Sequence, residues 1–284
     1  PRPPDAGPRP TGGANQTQAA ARRAAVWNQQ PLDLKTEPFV WAPAAMLADK
    51  PAKIPADEQA TPGPALTAPP PVETVVDGLL NLIAQARSDL LIISPYFVPG
   101  PDMKKAFAEA VRRGVRVRVL TNSLASNDAP IAHVGYARHR RELLELGVAL
   151  YEMRSEQATA GSALGTSGAG AAGESRAMLH SKVLVVDGRL LVVGSMNLDL
   201  RSQKQNTEIA LLIRSRPLSE QATALIETGL REGAWHVERT DGGGLVWRAP
   251  QGSGLQDAHR DPDASLGLRL MLKLIGPLAP DEML

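Results

Sequence analysis

The chain has 284 residues, of which 43% are hydrophobic and 21% are charged, a composition that excludes a wholly disordered protein. Its 31 Lys and Arg residues nearly balance 30 Asp and Glu residues, and the net charge of +1 provides no overall field for a polyanion, so nucleic-acid binding would need a local basic patch. The absence of cysteine excludes disulfides, thiolate zinc ligands and a cysteine nucleophile.

The first 71 residues are expected to precede the folded domain. Residues 1–25 and 56–71 are rich in Pro, Ala and polar residues, a composition typical of flexible or extended chain. Residues 26–55 have no clear periodicity. We therefore predict a Pro-rich lead-in and linker over residues 1–71.

Helical and strand patterns alternate from Val72 onwards. The periodicity predicts helices over 72–87, 101–113 and 131–146, and strands over 90–94, 115–121 and 148–153. This alternation predicts an α/β fold with a mixed, largely parallel sheet flanked by helices on both faces. The predicted domain covers residues 72–250.

Three further segments follow in chain order. Residues 154–177 are rich in Gly, Ala and Ser and are predicted to form a flexible loop. Strands are predicted over 206–213 and 235–239, with a helix over 217–232 between them. The tail, residues 251–284, contains a leucine-rich amphipathic helix over 264–275. This helix suits a membrane interface, but docking on the sheet is the preferred interpretation.

The sequence LHSKVLVVDGRLLVVGSMNLDLRS, residues 179–202, carries the chemistry. Two apolar strands flank Asp187–Gly188, which predicts a hairpin with a two-residue turn. In that register His180 lies opposite Ser195, and Lys182 shares their face. A three-residue turn would change the register.

The residues on this face suit the cleavage of a phosphate ester. Imidazole acts as a nucleophile or a general acid and base near neutral pH, which gives His180 the reactive role. Lys182 supplies positive charge, and Ser195 and Asn197 supply donors for anionic oxygens. The alternative is a surface hairpin without chemistry, which the combined spacing disfavours.

Two carboxylates belong to the same pattern. Asp187 lies at the turn with the opposite parity, so we assign it a structural role. Glu208 lies in an otherwise apolar strand and needs a partner there, for which the second nitrogen of His180 is the expected group.

HxKxxxxD followed by GSxN is the signature of the phospholipase D superfamily, which this sequence resembles. The matching residues are His180, Lys182, Asp187, Gly194, Ser195 and Asn197. The stretches WAPAAMLADKPAK, SPYFVPG, RGVRVRVLTNSLASND and HVGYARHRRELLELGV resemble the bacterial cardiolipin synthase branch.

The resemblance implies phosphatidyl transfer through a phosphohistidine intermediate, without metal or cofactor. It implies that the catalytic residues are His180, Lys182, Asp187 and Glu208, and that Lys182, Ser195 and Asn197 bind phosphate. A second histidine would protonate the leaving alcohol and then deprotonate the acceptor. The substrate would be phosphatidylglycerol or a related phospholipid, and the enzyme would be peripheral on the cytoplasmic side of the bacterial inner membrane.

Only one HxKxxxxD occurs in the sequence, whereas the family that it resembles has two. Together with the start at Pro1, this predicts the C-terminal half of a longer protein. The expected partners are therefore a membrane surface, a phospholipid and a missing N-terminal half carrying the other motif, with no nucleic acid.

His133 and Tyr136, which precede a basic cluster at 138–141, are candidate headgroup contacts, with a solvated helix face as the alternative. Two other functions remain open. One is a phosphodiesterase or nuclease of the same superfamily, and the other is a non-catalytic membrane-binding module.

Overall fold

The structure is a computed structural model and describes residues 39–54, 74–155 and 178–276. The strands are β1 (Ala44–Ala48), β2 (Asp89–Ile93), β3 (Phe97–Val98), β4 (Arg116–Asn122), β5 (Ala149–Met153), β6 (Val183–Val186), β7 (Leu190–Gly194), β8 (Leu198–Asp199), β9 (Ile209–Arg214), β10 (Ala234–Arg239) and β11 (Leu245–Arg248). The α-helices are α1 (Val75–Gln85), α2 (Pro101–Arg112), α3 (Pro130–Glu145), α4 (Leu200–Lys204), α5 (Arg216–Thr228) and α6 (Leu266–Ile275). All of them lie within Ala42–Leu284, which forms one compact unit.

Nine strands form the main sheet of the described residues, in the order β1-β9-β7-β6-β2-β4-β5-β10-β11. The predicted α/β class and the mixed sheet are confirmed. The main sheet is, however, largely antiparallel, because among its described strand pairs only β2–β4 and β4–β5 are parallel. The hairpin strands β6 and β7 cause this difference, since β6 runs antiparallel to β2 and β9 continues the alternation.

Helices cover both faces of the sheet, as predicted. Helices α1, α2 and α3 pack on one face through large apolar side chains that include Ile83, Phe107 and Leu143. Helix α5 packs on the other face through Ile226. The helix starts follow local chemistry, because Thr74 and Asp77 form a capping box at α1 and proline opens α2 and α3.

Strand β1 belongs to the segment that we assigned to the lead-in. It forms one edge of the main sheet by antiparallel pairing with β9, in which Met46 lies opposite Leu211. The remaining predictions for residues 1–38, 55–73 and 156–177, including most of the loop over 154–177, fall outside the described residues.

The amphipathic helix of the tail, α6, docks on α3 and its neighbourhood. Its buried Leu272 packs with Leu124, Ala125 and Ala264. The predicted docking on the sheet is therefore wrong: the helix docks on the segment after β4 and on α3.

Candidate active site

The hairpin that carries the motif turns through three residues, not the two that we predicted. Val186 pairs with Leu190, so Asp187, Gly188 and Arg189 all lie between the paired positions. The amide of Arg189 donates to the carbonyl of Val186 at 3.1 Å, and this closes the turn with Arg189 as the additional residue. The predicted register is therefore wrong by one residue.

The corrected register changes the cross-strand neighbours of the motif. Gly194 donates its amide to the carbonyl of Lys182 at 3.2 Å, and Ser195 donates its amide to Ile209 on β9 at 2.9 Å. His180 precedes β6 and is exposed. His180 and Ser195 are therefore not directly opposite each other, contrary to our prediction.

The topology nevertheless brings the predicted residues to one end of the sheet. Strands β2, β4 and β7 finish at this end, and β6 and β9 begin there. His180 and Lys182 lie just before β6, Ser195 and Asn197 follow β7, and Glu208 immediately precedes β9.

The backbone beside His180 is fixed by Asn122, a buried residue at the end of β4. The side-chain oxygen of Asn122 accepts from the amide of Leu179 at 2.9 Å, and its NH2 donates to the Leu179 carbonyl at 3.2 Å. Lys182 Nζ donates to the carbonyl of His180 at 3.0 Å. Sequence reasoning missed Asn122, because its partner is a main-chain group distant in sequence.

Lys182 lies between an apolar cavity and a group of carboxylates. Its stem lines a small, mostly apolar cavity with Met196 and neighbouring core residues. Burial lowers the pKa of Lys182, while the charges of Glu208, Asp199 and Asp128 oppose this shift. Lys182 is therefore a half-buried cation within electrostatic reach of three acidic groups.

Glu208 has a different partner from the one we expected. The hydroxyl of Ser195 donates to its carboxylate at 2.5 Å, and the same hydroxyl accepts from the amide of Ile209 at 3.1 Å. The predicted hydrogen bond to His180 is replaced by this contact because Ser195 is held against the start of β9. Glu208 is 7% exposed, so its carboxylate is a fixed part of the site wall.

A buried ion pair, missed in the sequence, supports Glu208 from behind. Asp49 accepts from the amide of Glu208 at 2.9 Å and from the amide of Val75 at 2.7 Å. Its partner is Lys53, whose Nζ also donates to the carbonyl of Ser202 at 3.0 Å. The available signal was the i, i+4 spacing of Asp49 and Lys53 within ADKPAK.

The segment after Ser195 presents polar groups to the same region. The side-chain oxygen of Asn197 is buried and has no hydrogen-bond partner among the described residues. The next amide, of Leu198, donates to Ser94 Oγ at 2.9 Å.

Asp199 caps α4 at the end of the same segment. Burial and the nearby charge of Glu208 raise the pKa of Asp199, while the hydrogen bonds from Ser202 oppose this shift.

Tyr96 and Asp128 complete the described surroundings of Lys182. The Tyr96 hydroxyl donates to Asp128 at 2.6 Å, and burial and this hydrogen bond raise the pKa of Tyr96. Phe97, next in the chain, packs instead in the core against Phe107 and Tyr136. The loops after β2 and β4 therefore both contribute side chains to the surroundings of the site.

Asp187 lies at the opposite end of the hairpin from these residues. It accepts hydrogen bonds from the amides of Arg87, Ser88 and Asp89 and from the hydroxyl of Ser88, at distances from 2.8 to 3.2 Å. Burial alone would raise the pKa of Asp187, but these hydrogen bonds lower it. This position supports the structural role that we assigned to it.

The candidate headgroup contacts His133 and Tyr136 are buried, with 3% and 2% exposure. Arg140 donates to the Nε2 atom of His133 at 2.7 Å, and the Tyr136 hydroxyl donates to Glu152 at 3.0 Å. These side chains belong to an internal network with Asp261, and the expectations of a headgroup contact and of a solvated face are both wrong for them.

No group of three or more His, Asp or Glu side chains in residues 39–54, 74–155 and 178–276 is arranged to hold a metal ion. Among the same residues, no helix has the length and apolarity needed to cross a membrane.

Comparison with known proteins gives a consistent family match. The family described as cardiolipin synthase, PLD-like domain, matches residues 79–228. Cardiolipin synthase C of Escherichia coli (strain K12) is 30% identical over 249 residues, which cover 88% of this chain and 50% of the relative. Cardiolipin synthase A of Serratia proteamaculans (strain 568) is 33% identical over 143 residues, covering 50% of this chain and 25% of the relative.

A solved structure agrees in fold. The crystal structure of phosphatidylserine synthase from Haemophilus influenzae Rd KW20 aligns with a TM-score of 0.51 at 15% identity, covering 99% of this chain and 57% of that chain. The chain thus spans at most about half the length of the curated relatives described here.

Proposed function

Because the chain belongs to the family of cardiolipin synthase, PLD-like domains, we propose that it contributes an active site for transfer of a phosphatidyl group to a hydroxyl of phosphatidylglycerol, which yields cardiolipin. The observation that carries the proposal is the gathering of His180, Lys182, Ser195, Asn197 and Glu208 at one end of the sheet. All five residues lie within the matched region.

The proposed reaction is a double displacement at phosphorus. An imidazole nitrogen attacks, a P–N bond forms, and the P–O bond to the leaving alcohol breaks while a second imidazolium gives that oxygen its proton. The acceptor hydroxyl then attacks phosphorus and loses its proton to the same second imidazole. A new P–O bond forms, the P–N bond breaks, and the nucleophilic imidazole is released unchanged. His180 supplies one of the two imidazoles, and its exposed position suits approach by a phosphodiester.

The remaining polar groups would hold the phosphate. The ammonium group of Lys182 offsets the negative charge on the phosphoryl oxygens, and the NH2 of Asn197 can donate to one of them. Ser195, hydrogen-bonded to Glu208, fixes the wall against which the phosphate rests. Asp187 stabilises the hairpin from its far end.

The second imidazole would come from another half-site. The 284 residues contain one HxKxxxxD, and the chain covers 50% of Escherichia coli cardiolipin synthase C. We therefore propose a composite site in which a second HxKxxxxD segment, in the remainder of a longer protein, faces His180.

Lipid mass spectrometry after incubation with phosphatidylglycerol vesicles tests this proposal. The chain is assayed alone and as part of the longer parent protein, each with and without His180→Ala. We expect cardiolipin from the parent only, and a loss of about 10³-fold or more on substitution of His180.

Other products would contradict particular parts of the proposal. Phosphatidic acid in place of cardiolipin would identify water as the acceptor and the protein as a phosphodiesterase. Cardiolipin formed by this chain alone would replace the composite site with a site built by two copies. Undiminished product from the His180→Ala parent would remove His180 from the reaction.

A further inference from the structure

The outer face of α6 presents three leucines to solvent. Leu266, Leu270 and Leu274 recur every four residues and are 73%, 62% and 71% exposed. Four-residue spacing places them in one row along the helix, and the exposed Met271 widens that row. We call these four residues the leucine face.

The opposite side of α6 is firmly attached to the protein. Leu272 is buried against Leu124, Ala125 and Ala264, and Leu268 packs on the same cluster. The hydroxyl of Ser265 caps the helix by accepting from the amide of Leu268 at 3.2 Å. The leucine face is therefore the outer side of a docked helix, and no described residue covers it.

The charges of α6 are all positive. Arg269 and Lys273 lie one turn apart, and on a helical projection they border Leu266 and Leu270 on one side. The helix contains no Asp or Glu. A row of large apolar side chains with a basic border matches the surface that binds anionic lipid headgroups while inserting into the acyl boundary.

The attachment point of α6 leads directly to the candidate site. Leu124 and Ala125 belong to the segment that follows β4, and the same segment carries Asp128. Asp128 accepts from Tyr96 and acts electrostatically on Lys182. The leucine face is therefore anchored through the loop that also forms the wall of the site.

We propose that the leucine face docks the protein on the surface of an anionic phospholipid bilayer, at the end of the sheet where the site opens. This inference rests on the proposed function, because a phosphatidyl donor and acceptor are both held in a bilayer. Lys273 contacts the headgroups, Arg269 adds positive charge from its place against the carbonyl of Ala264, and the four apolar side chains enter the lipid.

Vesicle co-sedimentation of the whole chain tests this surface. The vesicles contain phosphatidylglycerol in phosphatidylcholine, with pure phosphatidylcholine as the comparison. We expect the double variant Leu270→Asp/Leu274→Asp to bind on the order of 100-fold more weakly, because two large apolar side chains no longer leave water. Lys273→Glu should lower binding to the anionic vesicles by about 10-fold and leave binding to phosphatidylcholine much less affected.

Leu225→Asp is the matched control, since Leu225 is an exposed leucine, at 41%, on α5. It should bind vesicles as the unaltered chain does. Equal binding by the double variant, or equal loss in Leu225→Asp, would overturn the proposal. A change from dimer to monomer in sedimentation velocity, with vesicle binding retained, would assign the leucine face to a second copy instead.

The binding measurement is independent of turnover. His180→Ala should bind vesicles normally although it no longer transfers lipid. An absence of lipid transfer by the unaltered parent protein would count against the proposed function alone. Unchanged vesicle binding by the leucine-face variants would count against this docking surface alone.

Discussion

Asp187 illustrates how a motif residue contributes without reaching the reacting atoms. Its carboxylate gathers three consecutive main-chain amides at the start of β2 and thereby fixes the hairpin against the central strands. The lysine and histidine of the motif lie at the other end of the hairpin. The motif spacing therefore places the candidate site and the contacts of Asp187 at opposite ends of one short segment.

Replacing Asp187 with alanine should destabilise the protein by about 2–3 kcal/mol, because three main-chain amides lose their charged acceptor and the residue has a φ of 50°. Chemical denaturation measures this loss. Asp187→Asn is the matched variant, since asparagine tolerates the left-handed conformation and keeps one acceptor; we expect it to lose about 1 kcal/mol.

Activity per folded molecule separates the two roles of the motif. In the parent protein, Asp187→Ala should retain most of its transfer rate under conditions where it is folded, whereas His180→Ala should not. A catalytic loss in Asp187→Ala as large as in His180→Ala, at full folding, would refute the structural assignment.

At the residue scale, the sequence could predict which residue types form the candidate site better than it could predict their contacts. The residue types and spacing of His180, Lys182 and Ser195 predicted a candidate site, and the structure places these residues at one end of the sheet. The extra turn residue Arg189 could not be foreseen, because Asp-Gly is compatible with turns of both lengths. Asn122 was also missed, since its role depends on a main-chain contact that only the folded chain creates.

At the scale of elements, β7 and β9 approach so closely that only glycine fits between them. A Cβ atom on Gly194 would lie 2.4 Å from the carbonyl oxygen of Ile209 and 3.1 Å from Cα of Ala210. Both neighbours are main-chain atoms of β9 and cannot rotate away. This close contact fixes the end of β7, and Ser195 is the next residue in the chain.

Gly194→Ala should therefore separate β7 from β9 and destabilise the fold by about 1–3 kcal/mol. Thermal or urea unfolding measures the change. Gly242→Ala is the control, because a Cβ there meets nothing within 4 Å, and we expect its stability within about 0.5 kcal/mol of the unaltered chain. Equal stability of the two variants would show that β9 accommodates the methyl group.

Hydrophobic periodicity located most elements correctly from β2 to α6 because each has one clear apolar face or a continuous apolar run. The relative direction of the strands was harder to predict from the sequence. Alternating helices and strands suggested a parallel sheet, but the hairpin inserted two adjacent strands, and β9 then paired antiparallel to β7. Strand β1 was missed because AAMLA is short and its partner lies far away in sequence.

At the scale of the whole molecule, a buried polar network joins α3, β5, β11 and the segment before α6. Arg140 forms ion pairs with Glu152 at 2.8 Å and with Asp261 at 2.6 Å, and its guanidinium lies over the rings of Tyr136 and Trp247. Trp247 donates to Glu152 at 2.9 Å. The residues after β11 are thereby connected to the core of the domain.

His133 makes this network sensitive to acid. Burial lowers the pKa of His133, and the charge of Arg140 adds to this effect, whereas Asp261 and Glu152 oppose it. The folded state therefore keeps His133 neutral at a pH where the unfolded chain binds a proton. The contribution of His133 to the free energy of unfolding is therefore complete above a pH of about 6.5, and it is lost as the pH decreases below that value.

We expect the free energy of unfolding to fall by about 1–2 kcal/mol from pH 7 to pH 5. Urea unfolding at each pH measures this change. His133→Gln should flatten this dependence, because glutamine does not titrate. His236→Gln is the comparison, since burial also lowers the pKa of His236 but that residue is half-exposed. An unchanged pH slope in His133→Gln would exclude His133 as the titrating group.

The position of β1 has a consequence for cutting the domain out of a longer protein. Residues 44–48 hydrogen-bond to the outer side of β9, and Asp49 then holds the amide of Glu208. A fragment beginning at Val72 would leave β9 as an open edge strand whose free amides and carbonyls can recruit other chains into aggregates. It would also release the main chain beside Glu208, so the smallest stably folded fragment must retain the five-residue strand Ala44–Ala48 and Asp49.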